Sequence, residues 1–335
     1  MSDQKEKLIF DAAYQPQVRT ARNTQSLMLD VIISLMPAFA VAVWQFGAQA
    51  LVPVISAVAA CVLFELVYAK LMKKVCRISD LSACVTGLLL GLTLPAGAPW
   101  WVAVIGSFFA IVVVKQLYGG IGKNFLNPAL AGRAFLLASY VMILNTYSVP
   151  KSLQGVDAVS SATPLSYLYG GLELPSYFTV KNLFLGSIPG SMGEISALAI
   201  LIGLAYLLIR KVISWRIPVS FIGTTALLTL IFGRSGYSNF DWMLLNLLSG
   251  SVLFGAVFMA TDYVTSPVTA GGQLLYGFGC GALVVLIRYF GGYPEGTTYA
   301  ILIMNLCSWA IDKAFHRNPF GTVKSDKSKG KEADA

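Results

Sequence analysis

Residues 50–69 read ALVPVISAVAACVLFELVYA, twenty positions with a single charged side chain, Glu65. A hydrocarbon slab about 30 Å thick is crossed by about 20 helical residues, so this stretch has the length and apolarity of a transmembrane helix. It ends on Lys70, Lys73, Lys74 and Arg77, a basic flank of the kind that marks a cytoplasmic boundary. Outward from it, similar stretches lie near 27–47, 81–96, 99–117, 127–147, 191–209, 216–233, 242–260, 268–288 and 296–313, which predicts an all-α polytopic membrane protein of about ten spans. The stretch at 81–96 is short and broken by Gly87, Gly91 and Pro95, the pattern of a discontinuous helix.

The whole chain agrees with this reading. Of 335 residues, 56% are hydrophobic and 12% charged, and the mean hydropathy is +0.70; soluble domains carry roughly 25% charged residues. The lipid bilayer is therefore the expected solvent for most side chains. The net charge of +8 does not point to nucleic acid, because the basic residues sit between apolar runs and in the tail. Cys61, Cys76, Cys84, Cys280 and Cys307 form no CxxC pair and the one histidine, His316, lies in the polar tail, so no metal site is expected within the chain. The polar first 26 residues lack the apolar core of a cleavable signal peptide.

With an even number of spans, both termini fall on one side. The termini and even-numbered loops hold 20 lysines and arginines, and the odd-numbered loops hold only Lys151, Lys181, Arg234 and Arg288. The positive-inside rule thus predicts cytoplasmic termini. Shifting the sequence by 172 residues lays Pro95 on Pro267, Val112-Val113 on Val284-Val285 and Gly119-Gly120 on Gly291-Gly292. Spans four and five then fall on nine and ten, and because five is odd the two halves would be inverted repeats. The expected organisation is a cytoplasmic segment (1–26), a five-helix repeat (27–147), an extracytoplasmic loop (148–190), a second repeat (191–314) and a basic tail (315–335).

The loop between spans five and six is much longer than any other, and structureless loops of such length are uncommon unless functional. It contains Asp157-Ala158-Val159-Ser160-Ser161-Ala162-Thr163-Pro164-Leu165. Small residues there allow close approach to the backbone, and the Thr163 hydroxyl is able to accept a covalent group. Taken alone, the run also reads as a Ser/Thr-rich turn stopped by a proline.

The segment resembles the S-(G/A/S)-A-T flavinylation motif, and the chain resembles the NqrB/RnfD family, the RnfD branch above all. Further matching landmarks are Thr93-Leu94-Pro95, Gly119-Gly120-Ile121-Gly122-Lys123-Asn124, Asn127-Pro128-Ala129, Ala260-Thr261-Asp262, Val264-Thr265 and Pro294-Glu295-Gly296. They run from the third span to the last. Ser161 stands where glycine is commoner, and Pro16-Gln17 where a Pro-His pair is frequent. The resemblance implies a phosphoester between Thr163 and FMN, made from FAD by a separate flavin transferase. Asp157, Ser160 and Ser161 would shape that site. It also implies a noncovalent riboflavin near the cytoplasmic ends of the spans, with Asn124, Asn127, Asp262 and Asp80 as candidate contacts. Asn127 and Asp80 equally occupy positions where helix N-caps belong, which accounts for them without a ligand.

Asp30, Glu65 and Arg133 lie within spans, where charge is costly; snorkelling or a bundle-facing partner would accommodate each. The function the resemblance implies is that of a flavin-carrying membrane subunit of an Rnf-type ferredoxin:NAD oxidoreductase, coupling electron transfer to Na+ or H+ movement. Its partners would be the A, B, C, E and G subunits, because no Gly-rich nucleotide-binding motif is present and no complete reaction is expected of one chain. A solute channel of the urea or ammonium type also suits an inverted five-plus-five arrangement. The Ser-Ser-Ala-Thr segment separates the two, since a simple channel has no use for it.

Overall fold

The computed structural model describes residues 23–73, 78–153, 162–170, 174–234, 236–291 and 295–315, and among these every regular element is a helix. The first half comprises α1 (Thr24–Phe46), α2 (Leu51–Leu71), α3 (Ser82–Leu92), α4 (Trp100–Phe108, continued by a π-wound stretch Phe109–Gln116), α5 (Pro128–Ser139) and the short α6 (Val141–Leu144). Two short helices, α7 (Pro164–Gly170) and α8 (Val180–Leu185), lie in the long connection. The second half comprises α9 (Ala197–Ile209), α10 (Arg216–Ile231), α11 (Asn239–Leu248), α12 (Val252–Phe254, with a π-wound stretch Gly255–Met259), α13 (Ala270–Phe290) and α14 (Thr297–Ala314).

The polarity of the bundle is inside-out. Large apolar side chains such as Leu66, Ile209, Ile231 and Phe290 face outward, while Glu65, Lys115, Arg133, Glu194 and Arg288 are buried. A water-soluble protein does the reverse with its charges; here the outer surface is suited to lipid, and within it Glu65 pairs with Lys115 and Arg133 with Glu295. Two close helix contacts organise the interior. A Cβ on Gly87 or Gly91 of α3 would fall 2.6 Å from Val58 Cα or 2.8 Å from Val54 Cα of α2. Gly277 and Gly281 of α13 likewise face the backbone carbonyls of Ile217 and Phe221 in α10 at 2.9 and 2.8 Å. Both pairs have the four-residue small-xxx-small spacing that lets helix backbones touch.

The expected spans are interrupted at four places, one of them at Tyr140 between α5 and α6. α3 stops at Leu92, and 93–96 continue as a buried non-helical segment. The span expected from 191 is helical only from Ala197, where Ser196 Oγ caps the Ala199 N–H at 3.3 Å. Residues 191–196 turn instead because the Gly193 and Met192 N–H groups donate to the carbonyls of Leu92 (2.7 Å) and Leu94 (3.2 Å). Tertiary hydrogen bonds thus replace helical ones and satisfy the open end of α3. The eighth span bends by 61° between α11 and α12, at Ser249-Gly250-Ser251, where Gly250 takes φ +73°.

Candidate functional site

One end of the bundle contains a cavity of about 290 Å³. Its walls are mostly apolar, from Met28 and Val31 of α1, Val85 and Leu89 of α3, and Val257 and Phe258 beyond α12. Asn124, Asn127 and Asp262, separated by up to 138 positions in the sequence, meet on this cavity with Ser82, Thr86 and Lys115. Asp80 does not line it but stands behind Ser82, accepting from the Ser82 N–H at 2.9 Å and from Ser82 Oγ at 2.6 Å.

Each polar group on the wall has a definable occupation. Asn127 is the N-cap of α5, accepting from Ala129 N (3.0 Å) and Leu130 N (3.4 Å), and its Nδ2 donates to Met259 O at 3.1 Å. It therefore ties α5 to the end of the α12 segment as well as facing the void. Lys115 is fully engaged: Nζ lies 3.0 Å from both oxygens of Glu65 and 2.7 Å from Ser82 Oγ. Gln116 Nε2 adds 2.8 Å to Glu65 Oε1. Asp262 accepts from Thr265 Oγ1 at 3.1 Å; desolvation raises its carboxyl above the usual range, and that hydrogen bond pulls it partly back. Asn124 is held by Nδ2 donation to Leu126 O at 3.0 Å.

Thr163 lies at the other end. Helices α1 and α13 run between the two ends, and 21 to 23 residues at 1.5 Å each give a separation of about 30 Å. Thr163 precedes α7, buried, with Oγ1 2.9 Å from Ser166 Oγ and accepting from the Ser166 N–H at 3.3 Å. Ser166 has the i+3 spacing of a helix cap, a signal present in the sequence. Aromatic rings surround α7: Tyr167 lies 5.7 Å from Phe178, and Tyr169 5.7 Å from both Trp242 and Tyr289. The connection is thus not merely polar, since Leu165, Leu168, Phe178 and Leu183 are buried. Asp157, Ser160 and Ser161 lie outside the described residues.

Asp30, Glu65 and Arg133, the charges the sequence places within spans, all face partners. Glu65 pairs with Lys115; Asp30 accepts from Tyr206 Oη at 2.9 Å and from Arg210 Nε at 3.3 Å. Arg133 donates to Glu295 Oε2 at 2.6 Å. Lys115, Arg133 and Arg288 are buried, so they do not belong to loops; removing them from the charge count leaves 18 against 3 and preserves the asymmetry.

Such a bundle, with lipid-compatible outer faces, broken helices and buried paired charges, defines a polytopic helical membrane protein. The NQR2, RnfD, RnfE family model matches residues 12–321. The chain belongs to that family. It is 46% identical to the D subunit of the Na+-translocating ferredoxin:NAD+ oxidoreductase complex of Acetobacterium woodii, over 96% of this chain and 98% of the relative. It is 41% identical to the D subunit of the proton-translocating ferredoxin:NAD+ oxidoreductase complex of Clostridium ljungdahlii, over 94% and 97%. It is 36% identical to the D subunit of an ion-translocating oxidoreductase complex of Stutzerimonas stutzeri, over 88% and 91%.

Proposed function

We propose that this chain is the flavin-carrying membrane subunit of an Rnf-type ferredoxin:NAD+ oxidoreductase, holding FMN through Thr163 and riboflavin in the cavity, and conducting electrons between the two ends while Na+ or H+ is moved. Its partners are the A, B, C, E and G subunits of such a complex and a flavin transferase. Its ten spans form two inverted halves, with termini in the cytoplasm and Thr163 outside.

The observation that carries this reading is the division of labour along α1 and α13: Asn124, Asn127 and Asp262 on a cavity at one end, and the threonine of a Ser-Ser-Ala-Thr segment at the other. The residues present fit a flavin. Apolar walls from α1, α3 and α12 suit a flat ring, and the amides of Asn124 and Asn127 beside the Asp262 carboxyl offer hydrogen bonds to a polar edge. At Thr163 the Ser166 side chain and N–H fix the hydroxyl, and the rings of α7 and its neighbours provide stacking surfaces. A bound flavin supplies a ring that takes up and releases one or two electrons; the protein supplies position and electrostatics. The halves correspond in packing: α2 lies on α3 and α4 as α10 lies on α11 and α13, and the two leading helices, α1 and α9, pack on each other.

Tryptic mass spectrometry of the Thr163 peptide tests the reading. The expected result is the added mass of FMN, absent in Thr163→Ala; an unmodified wild-type peptide from the assembled complex would overturn it.

A further inference from the structure

We propose that Glu194 and Glu295 share one exchangeable proton and form a buried protonation site in the half of the bundle nearer Thr163. Glu194 comes from the turn before α9 and Glu295 from the residues before α14, yet both meet at Arg133: its Nη2 lies 2.6 Å from Glu295 Oε2 and 3.5 Å from the Oγ of Ser191, whose N–H donates to Glu194 Oε1. Their partners are unequal. Glu295 accepts from Arg133 Nη2 on Oε2 at 2.6 Å and from Tyr147 Oη on Oε1 at 3.2 Å. Glu194 accepts only from the Ser191 N–H, on Oε1 at 3.0 Å, and its Oε2 meets no donor although the residue is 4% exposed. Arg133, also buried, has an unpartnered Nε.

One guanidinium thus serves two carboxylates. The other cation close by, Arg288 of α13, spends its Nη groups on the carbonyls of Asn246 (2.7 Å) and Ser249 (3.4 Å), not on either acid. Two facing carboxylates away from water repel strongly, and a proton between them turns that repulsion into a hydrogen bond. With one proton the O–H of one acid donates to the carboxylate of the other, and the remaining charge is matched by Arg133. Loss of the proton leaves two carboxylates, and nothing else is oxidised or reduced. A metal ion in its place would sit against Arg133 and be repelled. The titratable and charged groups around the pair are Arg133, Tyr147 and Arg288.

Arg288 links the surroundings of the pair to α7. A Cβ on Gly250 would meet Arg288 Nη2 at 3.3 Å and Leu165, two residues beyond Thr163, at 3.4 Å. A proton held here is placed to balance a negative charge arriving at Thr163, a consequence that rests on the reading above; the protonation itself does not.

Infrared spectra of the purified full chain in lipid, recorded in H2O and D2O, test it without reference to flavin. The expected result is a protonated-carboxyl band at neutral pH that shifts in D2O and is lost in both Glu194→Gln and Glu295→Gln. The band moves in Tyr147→Phe, which removes a hydrogen bond to Glu295 but neither acid. On wild-type protein alone it should titrate away at alkaline pH as one proton is released, unaffected by NaCl. No such band in the wild type, persistence in both Gln variants, an unmoved band in Tyr147→Phe, or disappearance on adding NaCl at constant pH would each overturn the proposal.

Discussion

The cavity end and the Thr163 end are stabilised in opposite ways. Around the cavity the buried charges are matched: Lys115 with Glu65, Ser82 and through it Asp80, and Asp30 with Arg210 and Tyr206. Around α7 the interior is aromatic, and several buried polar atoms lack partners, among them Ser249 Oγ, Ser251 Oγ, Thr297 Oγ1 and Arg288 Nε. An end whose charges are satisfied can keep an apolar void open and rigid. The Thr163 end is instead shaped by aromatic contacts around α7. The same bundle thus has an apolar void braced by paired charges on one side and a ring-lined interior on the other.

Mutations sharpen this contrast. The largest expected effect is at Thr163: Thr163→Ala abolishes in-gel flavin fluorescence of the denatured chain, and Thr163→Ser restores part of it; a fluorescent alanine variant would remove the covalent site. Next is the matched charge at the cavity. Lys115→Met leaves Glu65 buried without its cation and costs about 3–5 kcal/mol, whereas the double change Lys115→Met with Glu65→Leu recovers most of it, read by denaturant unfolding in detergent. If the double variant is no more stable than the single one, the pair is not what holds this end. Met28→Trp, which fills part of the void from α1, should deplete extractable riboflavin and leave the fluorescence on Thr163 intact; unchanged riboflavin would place that flavin elsewhere. Asn127→Ala removes an N-cap and lowers stability by about 1 kcal/mol whatever binds in the cavity, so Asn124→Ala with Asp262→Asn is the cleaner probe of ligand contact. The smallest effect is expected at Asp30→Asn, a shift of the unfolding midpoint below that of Asn127→Ala, because the Arg210 side chain is half exposed and solvent screens the pair.

The helical membrane architecture was legible because it rests on composition: twenty apolar residues in a row have few alternatives. Thr163, Asn124, Asn127 and Asp262 were singled out through the family resemblance; that the last three line one cavity is a matter of the fold, since nothing in their spacing says so. Helix ends were less legible. Residues 191–196 have the apolarity of a span, but the Gly193 N–H bonds across to Leu92 O, a choice made by a neighbour just over 100 residues away. The Glu194–Glu295 contact joins segments 101 positions apart, and neither acid differs locally from a surface residue. Arg133 read as a charge within a span that needed snorkelling or a bundle-facing partner; the partner, Glu295, lies 162 positions on and is visible only in the fold.

The broken helices also bear on how the two halves of the chain are joined. α3 has 11 residues, about 16 Å of helix, and α11 has 10. Neither reaches across a slab about 30 Å thick. The open end of α3 is closed by Gly193, from the other half of the chain. The hydrogen bonds from the Met192 and Gly193 N–H groups therefore tie the end of this short helix to a segment made about 100 residues later.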